Sequence, residues 1–331
     1  MALTPPLQPM LADARFTLPR DAALPGGLAF EQKPDGYRAV LFAGLGHAYL
    51  QSRNGADLTP AFPEIAAAGL VLPGPLVLDG ELVVAHDGRL HFGELQARAR
   101  RRGAGAREAA AERPAHLIVF DVLETADGPL LGEPYHARRA MLQELFAGGI
   151  LTPPFVLCPA TRDRVTAEGW LDPAWGAAGM EGVVVKGLAQ TYQPGRRGWV
   201  KVRSRITTEA VLAAVTGPPA RPSTLLLGRY DRAGRLRYIG RTAPLAQAAR
   251  QDVGAHLRPA GPEHPWHGRR FSARWGTREI LDHRQVDPEL VVEFAGDSAV
   301  DDGVYRHPVR FVRLRDDITP DQVPAVGQPP W

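Results

Sequence analysis

The chain has one cysteine, Cys158, which excludes an internal disulfide and a multi-cysteine metal site and leaves that thiol as a buried spectator. No apolar run approaches the roughly 18 residues of a membrane-spanning helix. The N-terminal "MALTPPLQPMLADARF" carries prolines where a signal peptide needs an unbroken apolar stretch, so export is not expected and the cytoplasm is the expected compartment. Net charge is small, +3. Lysine is nearly absent. Of 39 lysines and arginines, only Lys33, Lys186 and Lys201 are lysines. A GC-biased genome replaces Lys by Arg wherever a plain positive charge suffices. Arg does not lose its proton in a protein, whereas Lys does, and the free amine is a nucleophile. Each surviving lysine lies in a separate motif-like string.

What is present suits a soluble globular protein of one large or two ordinary domains: 331 residues, 44% hydrophobic and 23% charged. There is no internal repeat. Runs rich in Val, Leu and Ile and bounded by Gly and Pro predict strands at 29–33, 37–44, 48–53, 75–86, 116–124, 155–161, 182–187 and 199–203. Helices are expected at 61–69, 91–101, 136–148 and 166–179. Residues 98–113 are low in complexity and read as a mobile loop or frayed helix. From about Thr207 the pattern becomes short strands and turns, with a hairpin turn at Arg232–Gly234 and one helix at 244–257. About five strands and one helix suit a small closed barrel such as an OB-fold. The expected division is 1–204 and 205–331, with a hinge at 204–208.

Five strings could carry chemistry. In "EQKPDGYR", Lys33 and Asp35 share a side of an extended segment, Gly36 permits a close approach, and Arg38 follows. Such a set could bind and attack a phosphate, or be a charged surface turn. In "LVLDGELVVAH", Asp79 and Glu81 share a face of an apolar strand, which is costly unless they are paired or bind metal. "HLIVFDVLE" is an apolar strand delivering Phe120 and Asp121 to its end. "MEGVVVKG" is flanked by Glu181 and Lys186. In "GRRGWVKVR", Lys201 and Arg203 share a face, suited to a phosphate chain or to a solvated edge. Arginines also cluster in 97–108 and 306–315, as a solvated face or as a grip on a polyanion.

The order of these strings, K-x-D-G-x-R, D-G-E, F-D, E-G-V-V-V-K, W-V-K-V-R, resembles the covalent nucleotidyltransferases, specifically ATP-dependent DNA ligases, from about residue 6 to 316. It is most similar to the short bacterial LigC type and to the ligase module of LigD; "SRNGADLT" and "RHPVRFVRLRDD" resemble that group too. The resemblance implies an α+β fold: a nucleotidyltransferase (adenylation) domain of antiparallel sheets with helices, then an all-β OB-fold domain. It implies that Lys33 attacks the α-phosphate of ATP, that AMP passes from a lysine phosphoramidate to the 5′-phosphate of a nick, and that the 3′-hydroxyl displaces it, in DNA repair. Lys33 must be neutral to attack, at a cost of roughly 4–5 kcal/mol at pH 7.

By the same resemblance, Asp35 orients the lysine or contacts the metal. Arg38 and Arg53 touch the DNA 5′-phosphate or the ATP phosphates. Glu81 and Glu181 serve the metal and ribose sites, Phe120 stacks on adenine, and Glu31 contacts the base. Lys186, Lys201 and Arg203 complete the ATP site, although the last motif usually reads K-x-K. Arg313, Arg315 and Asp317 would orient pyrophosphate, with Ile318 standing where the family has a further lysine. Arg98, Arg100, Arg101 and Arg102 would grip DNA. The implied cofactors are ATP and Mg²⁺, with Mn²⁺ as the alternative metal. The implied partners are nicked duplex DNA and repair proteins supplying end-binding or polymerase activity. A nucleoid-associated monomer, away from membranes, is the expected state. The rivals are an RNA ligase or capping guanylyltransferase, and a non-catalytic DNA-binding relative.

Overall fold

The computed structural model describes residues 2–272, 279–297 and 299–327. The chain divides into two compact units, Met1–Ser204 and Arg205–Trp331. Among the described residues, no helix is long and apolar enough to cross a membrane.

Two sheets build the first unit. One orders its strands Leu11–Arg15, Arg197–Arg203, Met180–Gly187, Leu28–Pro34 and Ala160–Thr161. The other runs His47–Ser52, Tyr37–Gly44, Leu76–His86, Ala115–Thr125 and Gly128–Pro129. Strand Leu76–His86 shows why both faces are apolar. Leu76, Leu78, Leu82 and Val84 turn one way, onto Phe62, Ile65, Leu95 and Leu142 of the helical layer. Val77 and Val83 turn the other way and pack with Phe120, Trp199 and Tyr192. That alternation follows from the period of two along a strand. The far face of the first sheet buries Leu28, Phe30, Val183, Val185, Val200 and Val202 around Ala167. The layers are therefore helices, sheet, sheet and a short helix.

Several expectations are corrected. Residues 98–113 form ordered structure: helix Phe92–Arg98 is followed by helix Gly103–Glu112. Alanine is the strongest helix former, and Ala106 and Ala109 are buried. The helix expected over 166–179 is broken into Arg164–Gly169 and a 3₁₀ turn, Pro173–Ala178, because Asp172 caps a fresh start ahead of Pro173. Phe120 and Asp121 lie mid-strand rather than at a strand end. Strand Leu11–Arg15, which had no apolar signal, pairs in parallel with Arg197–Arg203.

The second unit is a barrel. Its sheet orders Leu236–Arg241, Thr224–Tyr230, Arg205–Thr216, Val291–Asp297 and Arg310–Arg315. The outer strands are joined where Thr242 bridges Val309, with Ala243 N–H donating to Val309 O at 2.7 Å. Closure removes two open strand edges. Ala210, Leu212, Leu225, Leu227, Val292 and Phe294 fill the interior with Val253 of helix Gln247–His256. The hairpin turn forms at Asp231–Arg235, where the Asp231 carboxylate accepts from the Ala233 and Arg235 N–H groups.

Candidate active site

Register brings the motif residues together. Lys33 stands opposite Gly182, which stands opposite Arg203 on the next strand. Two residues along, Glu31 stands opposite Val184, itself opposite Lys201. These side chains share the sheet face that looks toward the second sheet. There Arg38 is the cross-strand partner of Glu81.

Glu181 should point away from Lys33, because alternation places it on the opposite face from Gly182. A bulge between Met180 and Gly182 turns it round. Gly182 has φ +143°, and a Cβ there would lie 2.2 Å from the Val202 carbonyl oxygen. Only glycine fits. The Lys33 Nζ consequently donates to Glu181 Oε2 at 2.5 Å, and Arg203 Nε stands 3.5 Å from the same oxygen. Gly36 of the K-x-D-G string is required for close approach, since its Cβ would meet the Leu82 carbonyl oxygen at 2.3 Å.

The electrostatics follow from burial and neighbours. Burial opposes the charge on Lys33, but Glu181 and Glu81 outweigh it and raise its pKa, so the ligand-free amine is an ammonium. Burial alone would raise the Glu181 carboxyl; Lys33 and Arg203 hold it at about 2. Glu81 goes the other way. Burial, opposed by Lys33 and Arg38 but reinforced by Glu181 and Asp35, pushes it up to about 7. Burial, then Arg203, Lys33 and Arg53, lower Lys201. Basic and acidic groups thus converge around one lysine.

Among the described residues, no group of three or more His, Cys, Asp and Glu side chains is poised to hold a metal. The donor chemistry nevertheless fits Mg²⁺, which takes one or two carboxylates and completes its shell with phosphate and water oxygens. The Glu81 carboxylate, near Lys33 and Arg38 and beside Glu181 and Asp35, accepts no side-chain hydrogen bond among the described residues.

Asp79 is paired, as a carboxylate inside an apolar strand must be. Arg38 holds it through Nε and Nη2 at 2.5 and 2.6 Å, and the Tyr192 hydroxyl donates to it at 2.6 Å. Deeper in, Lys186 is fully buried. Its Nζ lies 2.8 Å from Glu31 Oε2 and 3.7 Å from Asp121, and donates to the Phe120 carbonyl at 3.2 Å. The Tyr135 hydroxyl donates to Glu31 Oε1 at 2.6 Å, and Arg138 grips Asp121 with two hydrogen bonds. The Phe120 ring is 8% exposed, with the Arg38 guanidinium 4.6 Å and the Lys186 ammonium 4.7 Å from its centre. Val184, half-buried and in register with Glu31 and Lys201, adds an apolar surface. Sequence reasoning missed Met10, Tyr135, Arg138 and Tyr192. Only the short "TYQPG" string, close to the Lys201 motif, hinted at the last.

Arg53 is exposed on the turn after strand His47–Ser52. Arg100, Arg101 and Arg102 are exposed as well. Arg98 is not, which corrects its assignment as a DNA contact. Its side chain is 4% exposed, ion-paired with Glu64 at 2.6 Å, bonded to the Arg113 carbonyl and stacked over Phe62. In the second unit, Arg315 pairs with Asp317 through two hydrogen bonds and with Glu209 at 2.8 Å, and Arg313 pairs with Glu293. Ile318 packs against the cluster around Trp266 and Phe271. Cys158 is buried, its Sγ donating to the Gln32 carbonyl.

A lysine flanked by carboxylates and cations, on paired sheets followed by a barrel, fits a nucleotidyl-transferring enzyme. Residues 9–203 match the family model described as "ATP dependent DNA ligase domain", and 220–318 match "ATP dependent DNA ligase C terminal region". The chain belongs to the ATP-dependent DNA ligases. It is similar to DNA ligase C2 of Mycolicibacterium smegmatis, 33% identical over 338 residues, covering 96% of this chain and 92% of that one. It is also similar to DNA ligase C of Mycobacterium tuberculosis, 33% identical over 341 residues, with 97% and 93% covered. A mycobacterial DNA ligase D structure in complex with ATP and MES matches with a TM-score of 0.52 and 28% identity, over 96% of this chain and 98% of that one. Within the family the similarity is thus to the bacterial LigC type and to the ligase module of LigD.

Proposed function

We propose that the protein seals 5′-phosphate/3′-hydroxyl nicks in duplex DNA through a lysine–AMP intermediate on Lys33. The observation that carries this reading is the position of Lys33, on one sheet face with Glu181, Lys201 and Arg203. In the first step the Lys33 Nζ–Pα bond forms and the bond from Pα to the bridging oxygen breaks. Pyrophosphate leaves with the electron pair, and the ammonium gives up two protons to water, one before it attacks and one as the phosphoramidate N–H is left. A 5′-phosphate oxygen then attacks Pα, breaking the N–P bond, and the leaving Lys33 nitrogen takes up a proton from water. Finally the 3′-hydroxyl attacks the 5′-phosphorus, its proton goes to water, and AMP leaves with the electron pair.

Lys201 and Arg203 are assigned to the α-phosphate, where two cations on one face stabilise developing charge. Arg38, with its Nη1 edge uncommitted among the described residues, and Arg53 are assigned to substrate phosphates. Asp35, beside Glu81 and Glu181, orients this cluster. Glu31, Lys186, Phe120 and Val184 are assigned to the nucleoside end. Glu81 and Glu181 would hold Mg²⁺, which supplies neutralisation of phosphate charge when bound. Arg313, Arg315 and Asp317 are assigned to pyrophosphate, the arginines standing in for the lysine replaced by Ile318. The unit Met1–Ser204 is read as the adenylation domain and the barrel as its OB-fold partner. Because nick sealing closes DNA repair, repair is the setting we assign.

The test offers nicked DNA or nicked RNA, with ATP or GTP. Sealing of DNA with ATP is expected; charging by GTP, or sealing confined to RNA, would return the reading to the guanylyltransferases or RNA ligases. DNA grip is assigned to Arg100, Arg101 and Arg102. Their joint replacement by Ala is expected to lower the salt slope of nick binding by about 1 for each of these arginines that neutralises a phosphate. Arg98→Ala is expected to leave that slope unchanged and to destabilise the protein by about 2–4 kcal/mol, because it strips a buried pair from Glu64 and packing from Phe62. Filter binding over a salt series, with thermal melts, separates the two.

A further inference from the structure

Around Asp79 the hydrogen bonds close into a ring. Arg38 donates Nε and Nη2 to Asp79 and Nη2 also to the Met10 carbonyl at 3.2 Å. The Met10 N–H donates to the Tyr192 hydroxyl at 3.0 Å, and that hydroxyl donates to Asp79 Oδ2 at 2.6 Å. The ring joins four stretches of chain: the residue before strand Leu11–Arg15, strand Tyr37–Gly44, strand Leu76–His86, and the loop ahead of Arg197–Arg203. Met10 and Asp79 are fully buried, and Tyr192 is 2% exposed. A buried ring in which every member is satisfied is stiff. It commits Nε and Nη2 of Arg38 and leaves the Nη1 edge unbonded among the described residues. The same guanidinium lies over the Phe120 ring and 5.2 Å from the Trp199 ring.

We propose that Tyr192 is a positioning residue for nucleotidyl transfer: through Asp79 it fixes the plane of Arg38, so that the Nη1 edge meets a substrate phosphate. This rests on the assignment of Arg38 to phosphate given above. A bidentate arginine aims in one plane only, the plane of the carboxylate that holds it, so whatever steadies that carboxylate steadies the guanidinium. Without the phenol oxygen, Asp79 keeps Arg38 but loses the bond from Tyr192, and the pair is tied to the Met10 segment by the Arg38 Nη2 bond to the Met10 carbonyl alone. The Tyr192 ring itself is packed edge-on against Trp199, 5.7 Å between centres, with Arg138 over its face. Phenylalanine fills the same space, so the substitution removes the hydrogen bonds without opening a cavity.

The experiment compares single-turnover adenylation and sealing by the full chain, as wild type, Tyr192→Phe, Arg38→Lys and the double variant. Tyr192→Phe is expected to slow the steps at saturating ATP about tenfold or more, the weight of a hydrogen bond to a charged group, with the half-saturating ATP concentration within about twofold. In the Arg38→Lys background the same change is expected to cost less than about twofold, because Tyr192 has no bidentate guanidinium left to position. A wild-type rate for Tyr192→Phe, or the same fold loss in both backgrounds, overturns the proposal. A wild-type rate for Arg38→Lys instead overturns the assignment of Arg38, and with it the proposal, so the two failures are told apart. Asp79→Asn, which keeps the shape and loses the charge, takes the place of Tyr192→Phe in the same cycle should that variant not fold.

Discussion

Replacement of Lys33 by Arg is expected to leave the protein folded and to lower nick sealing by about 10⁴-fold or more, the scale on which loss of a nucleophile acts. Charge is not what is lost. A guanidinium at position 33 still meets Glu181, the partner that Lys33 shares with Arg203 at 2.5 and 3.5 Å. What is lost is an atom that gives up its proton and then bonds to phosphorus, which a guanidinium does not do at any pH the fold tolerates. The ligand-free site holds Lys33 as an ammonium, its pKa raised by Glu181 and Glu81 against the effect of burial. The amine must therefore leave that pairing and lose its proton before it attacks. Sealing rates with melting temperatures check this. Activity within about tenfold of wild type would mean that the charge alone matters.

Asp121→Ala is expected to destabilise the protein by about 3–5 kcal/mol, the cost of stripping one partner from a buried ion pair. Asp121 is 1% exposed and takes two hydrogen bonds from Arg138, at 2.8 and 3.0 Å, while Lys186 stands 3.7 Å away. Removing the carboxylate leaves Arg138, whose side chain is fully buried, with carbonyl oxygens as its polar partners. Lys186 keeps Glu31, so the damage is centred on the helix Tyr135–Ala147 that carries Arg138. Denaturant unfolding reads the loss directly. A change below about 1 kcal/mol would show that water reaches Arg138 and that the network is not dry.

The strands were legible because their residues carry the signal locally. Tyr37–Gly44 falls on the run "YRAVLFAG", apolar and bounded by glycine. Leu11–Arg15 was not, because "LADAR" is half-exposed and owes its strand state to a parallel partner almost two hundred residues away. The helix Gly103–Glu112 was hidden by its own composition, since an alanine-rich segment reads as low complexity although alanine favours helix. The candidate site was legible through the order of its motifs, each too short to speak alone. Its supporting layer was not. Arg138 and Arg139 look like the solvated face of an amphipathic helix, and only tertiary pairing with Asp121 and Glu31 shows them buried. Arg98 erred in the same direction. An arginine run is indistinguishable in sequence whether it faces solvent or caps a core. Glu181 shows the converse limit, because its motif was legible while the bulge that turns it toward Lys33 was not.

The most direct measurement is to incubate the protein with α-labelled ATP and Mg²⁺, then map the labelled peptide by mass spectrometry. The account predicts one acid-labile AMP, bonded to the Lys33 amine, formed with release of pyrophosphate and lost on addition of nicked DNA. Label on Lys186 or Lys201, or undiminished labelling of Lys33→Ala, would contradict it.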